Sequence, residues 1–227
     1  MTPGIARALL RAVKVQSVPV AGTRESVFGN PHRRRVFQYL CVHPCGSLFE
    51  AARALALSPA TVRFHVQRLL KADYLTSSTH GIYPIGFLDA DDVLMFEAAR
   101  SSATRRVLAA VYARPGSALG ELARFVGMTR QTVASLLGVF EALGVVARVS
   151  DGRFLRVYPT QALDERRERH RHRARQFTDS LVQRLAADDE KPEVLRRTAT
   201  DCLIRFGRGA EKAVLELALE PHAYVLR

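Results

Sequence analysis

Apolar positions along the chain recur at helical spacing, and capping residues cut the pattern into short segments. Asn30-Pro31 offers an N-cap followed by proline at the first helical position, which predicts a helix to about His43, stopped by Pro44. Ser47-Leu48-Phe49-Glu50 has the form of a capping box and starts a helix through about Leu55. Ser58-Pro59 caps a third helix, with Val62, Val66 and Leu69 on its apolar stripe and Asp73 in the left-handed closing position. Short segments at Leu75 and Ile82–Ile85, joined through His80-Gly81, then read as a small hairpin.

The same plan returns downstream. A helix from about Ala103 to Ala113 stops at Arg114-Pro115-Gly116, and a second over Leu119–Val126 stops at Gly127. Thr129 caps a third, with Val133, Leu136, Leu137 and Phe140 inward and Gly144 closing it. Val145–Val149 and Arg153–Tyr158 flank Ser150-Asp151-Gly152, a hairpin turn. Residues 34–75 align without gaps on residues 105–146, an offset of 71, with identities that include Arg34/Arg105, Arg35/Arg106, Arg53/Arg124 and Thr61/Thr132. Three helices and a hairpin, twice, predict a mainly α chain with small β-wings. It is organised as two tandem winged helix-turn-helix domains at 30–88 and 89–160, with an N-terminal extension (1–29) and a C-terminal helical region (161–227).

That last region opens on a helix from about Ala162 to Ala187. Its first half carries Arg166, Arg167, Arg169, Arg171, Arg173 and Arg175 and reads as solvated or phosphate-facing. Its second half carries Phe177, Leu181, Val182 and Leu185 at helical spacing and reads as a packing seam. Further helices are expected from Pro192 to about Phe206 and from Ala210 to about Leu219, completing a basic helical dimerisation unit. At the other end, Met1 to Val15 reads as a short amphipathic helix without the continuous apolar core of a secretory signal.

Asn30-Pro31-His32-Arg33-Arg34-Arg35-Val36-Phe37 resembles the first core helix of ArsR-type winged-helix regulators, and Ser58-Pro59-Ala60-Thr61-Val62-Arg63-Phe64-His65-Val66 resembles their recognition helix. Met128-Thr129-Arg130-Gln131-Thr132-Val133-Ala134-Ser135-Leu136-Leu137 is similar to the same element in MarR- and ArsR-type proteins. The double arrangement resembles archaeal tandem winged-helix transcriptional regulators. The resemblance spans residues 30–160 and implies a sequence-specific regulator of transcription bound to double-stranded DNA, acting as a homodimer.

A recognition helix enters the major groove with its N-terminal half, so exposed residues there are candidates to reach base edges. In the first copy these are Ala60, Thr61, Arg63, Phe64 and Gln67; in the second they are Arg130, Gln131, Ala134 and Ser135. Arg63 suits guanine, Gln67 suits adenine, and Phe64 suits a thymine methyl. Arg53, Arg124 and Arg68 suit phosphates, and His80, Arg153 and Arg156 in the wings suit the backbone or the minor groove. The bland alternatives are that Arg33–Arg35 and Arg105–Arg106 form solvated faces and that Phe64 packs on its hairpin. A further alternative is that the less charged second recognition helix docks on protein instead of DNA.

Charge sharpens this picture. Lys+Arg number 34 against 22 Asp+Glu, a net charge of +12, which favours a polyanionic partner. The excess is dispersed, with +4 over residues 30–90 and +3 over residues 91–160, so it is no disposable tail. The same dispersion also suits two rivals: a non-specific architectural DNA-binding protein, or a winged-helix protein–protein module. No apolar run approaches the length of a membrane span, and Cys41, Cys45 and Cys202 lack disulfide-framework spacing, so a cytoplasmic, nucleoid-associated protein is expected. Cys41-Val42-His43-Pro44-Cys45 gathers three soft ligands, but core filling is the stronger reading and no metal or other cofactor is expected. There is no phosphate-binding glycine loop, nucleophile elbow or paired-histidine zinc motif, so no enzyme is expected.

Overall fold

The structure, a computed structural model, describes residues 26–207 and 212–226; the expectation for Met1 to Val15 lies outside them. The first unit comprises α1 (Pro31–Val42), α2 (Leu48–Leu55), α3 (Pro59–Lys71) and the hairpin β1 (Leu75–Ser78) with β2 (Gly81–Pro84). A linking helix α4 (Ala90–Ala98) leads to the second unit: α5 (Ser102–Ala113), β3 (Ser117–Ala118), α6 (Leu119–Val126), α7 (Arg130–Ala142), β4 (Val146–Asp151) and β5 (Phe154–Pro159). The chain ends in α8 (Ala162–Ala187), β6 (Glu193–Arg197), β7 (Asp201–Phe206), β8 (Ala213–Ala218) and α9 (His222–Val225).

The caps form as their chemistry demands. Asn30 accepts the backbone N–H groups of His32 and Arg33, and Ser58 and Thr129 accept those of Thr61 and Thr132. The capping box is divided between the copies. Ser47 caps α2 through its hydroxyl, whereas Glu121 caps α6 by accepting the Ala118 N–H at 2.9 Å. Loop geometry repeats at the same offset of 71: Cys45, Ala56 and Asp73 have positive φ (61°, 53°, 57°), as do Gly116, Gly127 and Gly144 (78°, 67°, 72°). At these three positions the second copy has glycine, and the first uses residues with a Cβ, at a steric cost.

The repeated arginines explain themselves here. Arg35 donates to the Leu55 carbonyl at 2.8 Å, and Arg106 to the Val126 carbonyl at 2.6 Å. Each ties a first helix to the open C-terminal end of a second one. Arg34 donates to the carbonyls of Phe28 and Gly29, and Arg105 to those of Ala99 and Arg100, again 71 residues apart. Arg33 is buried and donates to the Val27 carbonyl. These first-helix arginines brace neighbouring carbonyls, although Arg35 and Arg106 remain exposed to solvent.

Buried side chains form one continuous cluster from Phe28 to Val225, so both winged units and the C-terminal region share a core. Phe37, Leu69, Leu137 and Phe140 are fully enclosed, each contributing about 1.5–3 kcal/mol by leaving water. Two expectations for residues 161–227 are corrected. In place of helices over Pro192 to Phe206 and Ala210 to Leu219, β6, β7 and β8 form an antiparallel sheet in the order β6-β7-β8. Cys202, Ile204 and Phe206 alternate with Leu203 and Arg205, and Leu215 and Leu217 with Val214 and Glu216, so burial has the period of a strand. Helix-favouring Ala, Leu and Glu in 213–220 obscured that alternation.

The second correction concerns α8. Its seam (Leu163, Ala174, Phe177, Leu181, Leu185) is buried within the chain, with Phe177 against Phe87 at 4.8 Å, so it is not available as a seam between copies. The arginine-dense half is largely neutralised locally. Arg167 and Arg171 meet Glu220, Arg173 meets Asp89, and buried Arg166 lies 4.0 Å from Asp92. Sheet and helix also clasp the first unit: Gln38 donates to the Glu216 carbonyl and Tyr74 to the Asp188 carboxylate.

Candidate nucleic-acid interface

On α3 the core side (Val62, His65, Val66, Leu69) leaves Ala60, Arg63, Phe64, Gln67, Arg68 and Lys71 exposed. Ala60, Arg63, Phe64, Gln67 and Lys71 fall at i, i+3, i+4, i+7 and i+11, one continuous outward face. No acidic residue occurs in the helix. Phe64 is 50% exposed, with the Arg68 guanidinium 5.6 Å from its ring centre. Thr61 is half-buried and committed to the cap, its hydroxyl 2.8 Å from that of Ser58. Arg53 on α2 is exposed and stacked over Phe49 at 5.3 Å. The result is a convex, cationic ridge with one aromatic, of a shape and charge that fit a major groove.

The second unit presents the same backbone with different chemistry. Arg130, Gln131 and Ser135 are exposed on α7, while Ala134 is half-buried and its carbonyl accepts Arg148 from β4 at 2.8 Å. Arg124 is exposed on α6, its Nε 3.4 Å from the Gly120 carbonyl. Arg153 stands exposed at the tip of the wing. Arg156 is held more firmly: it pairs with Asp151, donates to the Gly116 carbonyl at 3.0 Å and lies 6.0 Å from the Phe154 ring centre.

The first wing is short and tethered. His80 is half-buried, with its Nδ1 on the Glu97 carboxylate, and Arg100 donates to the His80 carbonyl. The structure therefore turns His80 toward α4, away from a free wing tip. Lys71, which the sequence reading left out, joins the exposed face of α3, and the helical spacing alone would have placed it there.

Cys41 and Cys45 are both core residues. Burial raises the pKa of each thiol, that of Cys45 to about 12, and lowers that of His43 to about 4. Among the described residues no group of three or more His, Cys, Asp or Glu is placed to hold a metal ion. Nor is any helix among them long and apolar enough to cross a membrane.

Comparison with known proteins agrees with this geometry. Residues 28–77 match the model of a helix-turn-helix domain, and residues 101–153 match that of the MarR family. The crystal structure of a transcriptional regulator of the MarR family from Silicibacter pomeroyi is 31% identical over the matched part. The match covers 39% of this chain and 62% of that chain, with a TM-score of 0.29. The chain thus spans less than two thirds of that relative's length. No curated protein matches. Fold and matched segments together define the class: a tandem winged helix-turn-helix protein of the type used by transcriptional regulators.

Proposed function

We propose that the protein regulates transcription by binding double-stranded DNA in a sequence-specific manner, with α3 as its principal reading element. The observation that carries this reading is the acid-free outward face of α3, where Arg63, Phe64 and Gln67 stand exposed on a helix fixed by its own core. Base readout belongs to Arg63 and Gln67 by donor geometry, and to Phe64 by apolar contact with a thymine methyl. Arg53, Arg68 and Lys71 supply phosphate contacts, which set affinity and register without reading sequence. Two helix-turn-helix units on one chain can occupy neighbouring groove segments, and a homodimer doubles that reach.

Two coupled measurements test the reading. Duplex affinity falls steeply with salt, with a log–log slope of about −0.9 for each phosphate neutralised. Arg63→Ala flattens the preference between a selected duplex and its point variants by about 1–3 kcal/mol at one base pair. Arg53→Ala instead weakens all duplexes alike. A salt-independent affinity, or identical behaviour of the two variants, contradicts the proposal.

A further inference from the structure

The two copies share a backbone but have exchanged their chemistry. At the offset of 71, α3 carries Arg63, Phe64, Gln67, Arg68 and Lys71 where α7 carries Ala134, Ser135, Gly138, Val139 and Ala142. The polar groups at these five positions are lost, Arg130 and Gln131 remain exposed only in the first turn of α7, and Val139 is left 47% exposed. The wing changes in the opposite sense. Its strands are six residues long instead of four, and its tip stands free of the tether that His80, Glu97 and Arg100 make on the first wing.

That longer wing carries large apolar side chains at its end. Val149 is 50% exposed, Phe154 58% and Leu155 40%, although strand pairing gives each of them an ordered place. Phe154 sits opposite Asp151 beside the turn, on the same face as Arg156. Arg156 spans the face to Asp151, which neutralises the carboxylate that would otherwise repel a phosphate. Beside this face lies a groove of about 470 Å³ whose sides include Arg124, Arg130, Arg156 and Phe154, with one acid, Glu121, engaged on the Ala118 N–H. Gly120, which lines the groove, stands where the first copy has Phe49.

We propose that the second winged helix engages duplex DNA through its wing, with Phe154 inserted as an apolar wedge between base pairs from the minor groove. The inference rests on the duplex-binding reading given above and adds the mode of the second contact. Arg153 at the tip faces the narrow groove, and Arg124 and Arg130 hold the flanking phosphates along the open groove of the protein. Apolar wedges of this kind unstack one base step and bend the duplex toward the major groove. DNA is favoured over a second copy of the chain as the occupant because cationic side chains rim the apolar tip, and like charges would meet across a symmetric contact.

The experiment uses the full chain and a duplex enriched by that chain from a random pool, with 2-aminopurine placed at successive steps and end-labelled dyes reporting bend. The wild-type protein raises 2-aminopurine fluorescence at one step and shortens the end-to-end distance. Phe154→Ala abolishes both signals and weakens binding about tenfold, as expected for loss of one base–aromatic contact. Phe154→Leu, still an apolar wedge, retains most of each signal. Thermal melts confirm that the exposed hairpin substitutions leave the fold intact. Duplex binding with Phe154→Ala indistinguishable from wild type overturns the wedge alone, as does loss of a dimer in Phe154→Ala with bending preserved. Failure of the wild-type chain to bind any duplex overturns both this inference and the proposed function.

Discussion

Replacing Arg35 or Arg106 by alanine separates a structural arginine from a DNA-contacting one. Each side chain sits on a first helix, in a run of positive charge that a sequence reading can assign to phosphates. Each nonetheless donates to a main-chain carbonyl at the end of a second helix, Leu55 for Arg35 and Val126 for Arg106. A hydrogen bond from a charged donor is worth about 1.5–3 kcal/mol when water cannot replace it, and a cation at a helix C-terminus adds about 0.3–1 kcal/mol. Arg35 and Arg106 are both exposed residues, so water recovers part of the loss and about 1 kcal/mol remains for each substitution. For a chain of this size that corresponds to a fall of about 2–4 °C in Tm. Urea unfolding of both variants, beside duplex titrations at fixed salt, gives the answer. The account predicts similar destabilisation by the two, with affinity changed less than about threefold. Unaltered midpoints with a large loss of affinity would refute the brace and return these arginines to the DNA surface.

Other expectations follow from the same geometry. Asp92 is buried 3.0 Å from His222, 3.8 Å from His170 and 4.0 Å from Arg166, so Asp92→Ala strands a buried guanidinium and costs about 3–5 kcal/mol by urea unfolding; a loss below about 1 kcal/mol contradicts this. Ala56 is a left-handed helix cap where the second copy has Gly127, so Ala56→Gly raises stability by about 0.5–1 kcal/mol, and a destabilised variant shows that the strain is absent. Burial lowers the pKa of both His170 and His43 from 6.5 to about 4, with the His222 charge adding to the effect on His170 and that of Arg105 to the effect on His43. The unfolded chain then binds more protons between those values, so stability is full above pH 6.5 and falls as the pH drops toward 4, by up to about 1.4 kcal/mol per pH unit for each group. A midpoint that rises or stays level from pH 7 to pH 5 is the contrary result.

The repeat was legible because its punctuation is local. Asn30, Ser58 and Thr129 cap helices by contacts within three residues, and Gly127 and Gly144 need no partner to turn left-handed. The exposed face of α3 was legible for the same reason: Val62, Val66 and Leu69 fix its inner side, and the other residues must face outward. What escaped depends on distant chain. The roles of Arg35 and Arg106 are set by carbonyls 20 residues away, and that of His80 by a carboxylate 17 residues away. Among the described residues the last three strands pair only with each other, and strong helix formers in β8 obeyed the sheet and not their intrinsic preference. Helix α4 was missed altogether, a short segment whose buried Asp92 finds its partners on α8 and α9.

The central claim is that α3 reads a DNA sequence, and in vitro selection from a random duplex pool tests it most directly, run in parallel with wild-type protein and Arg63→Ala. The account predicts that the wild-type chain enriches a defined motif containing a guanine whose preference disappears in the variant. Enrichment of no motif by the wild-type chain, or an unchanged motif with Arg63→Ala, would contradict it.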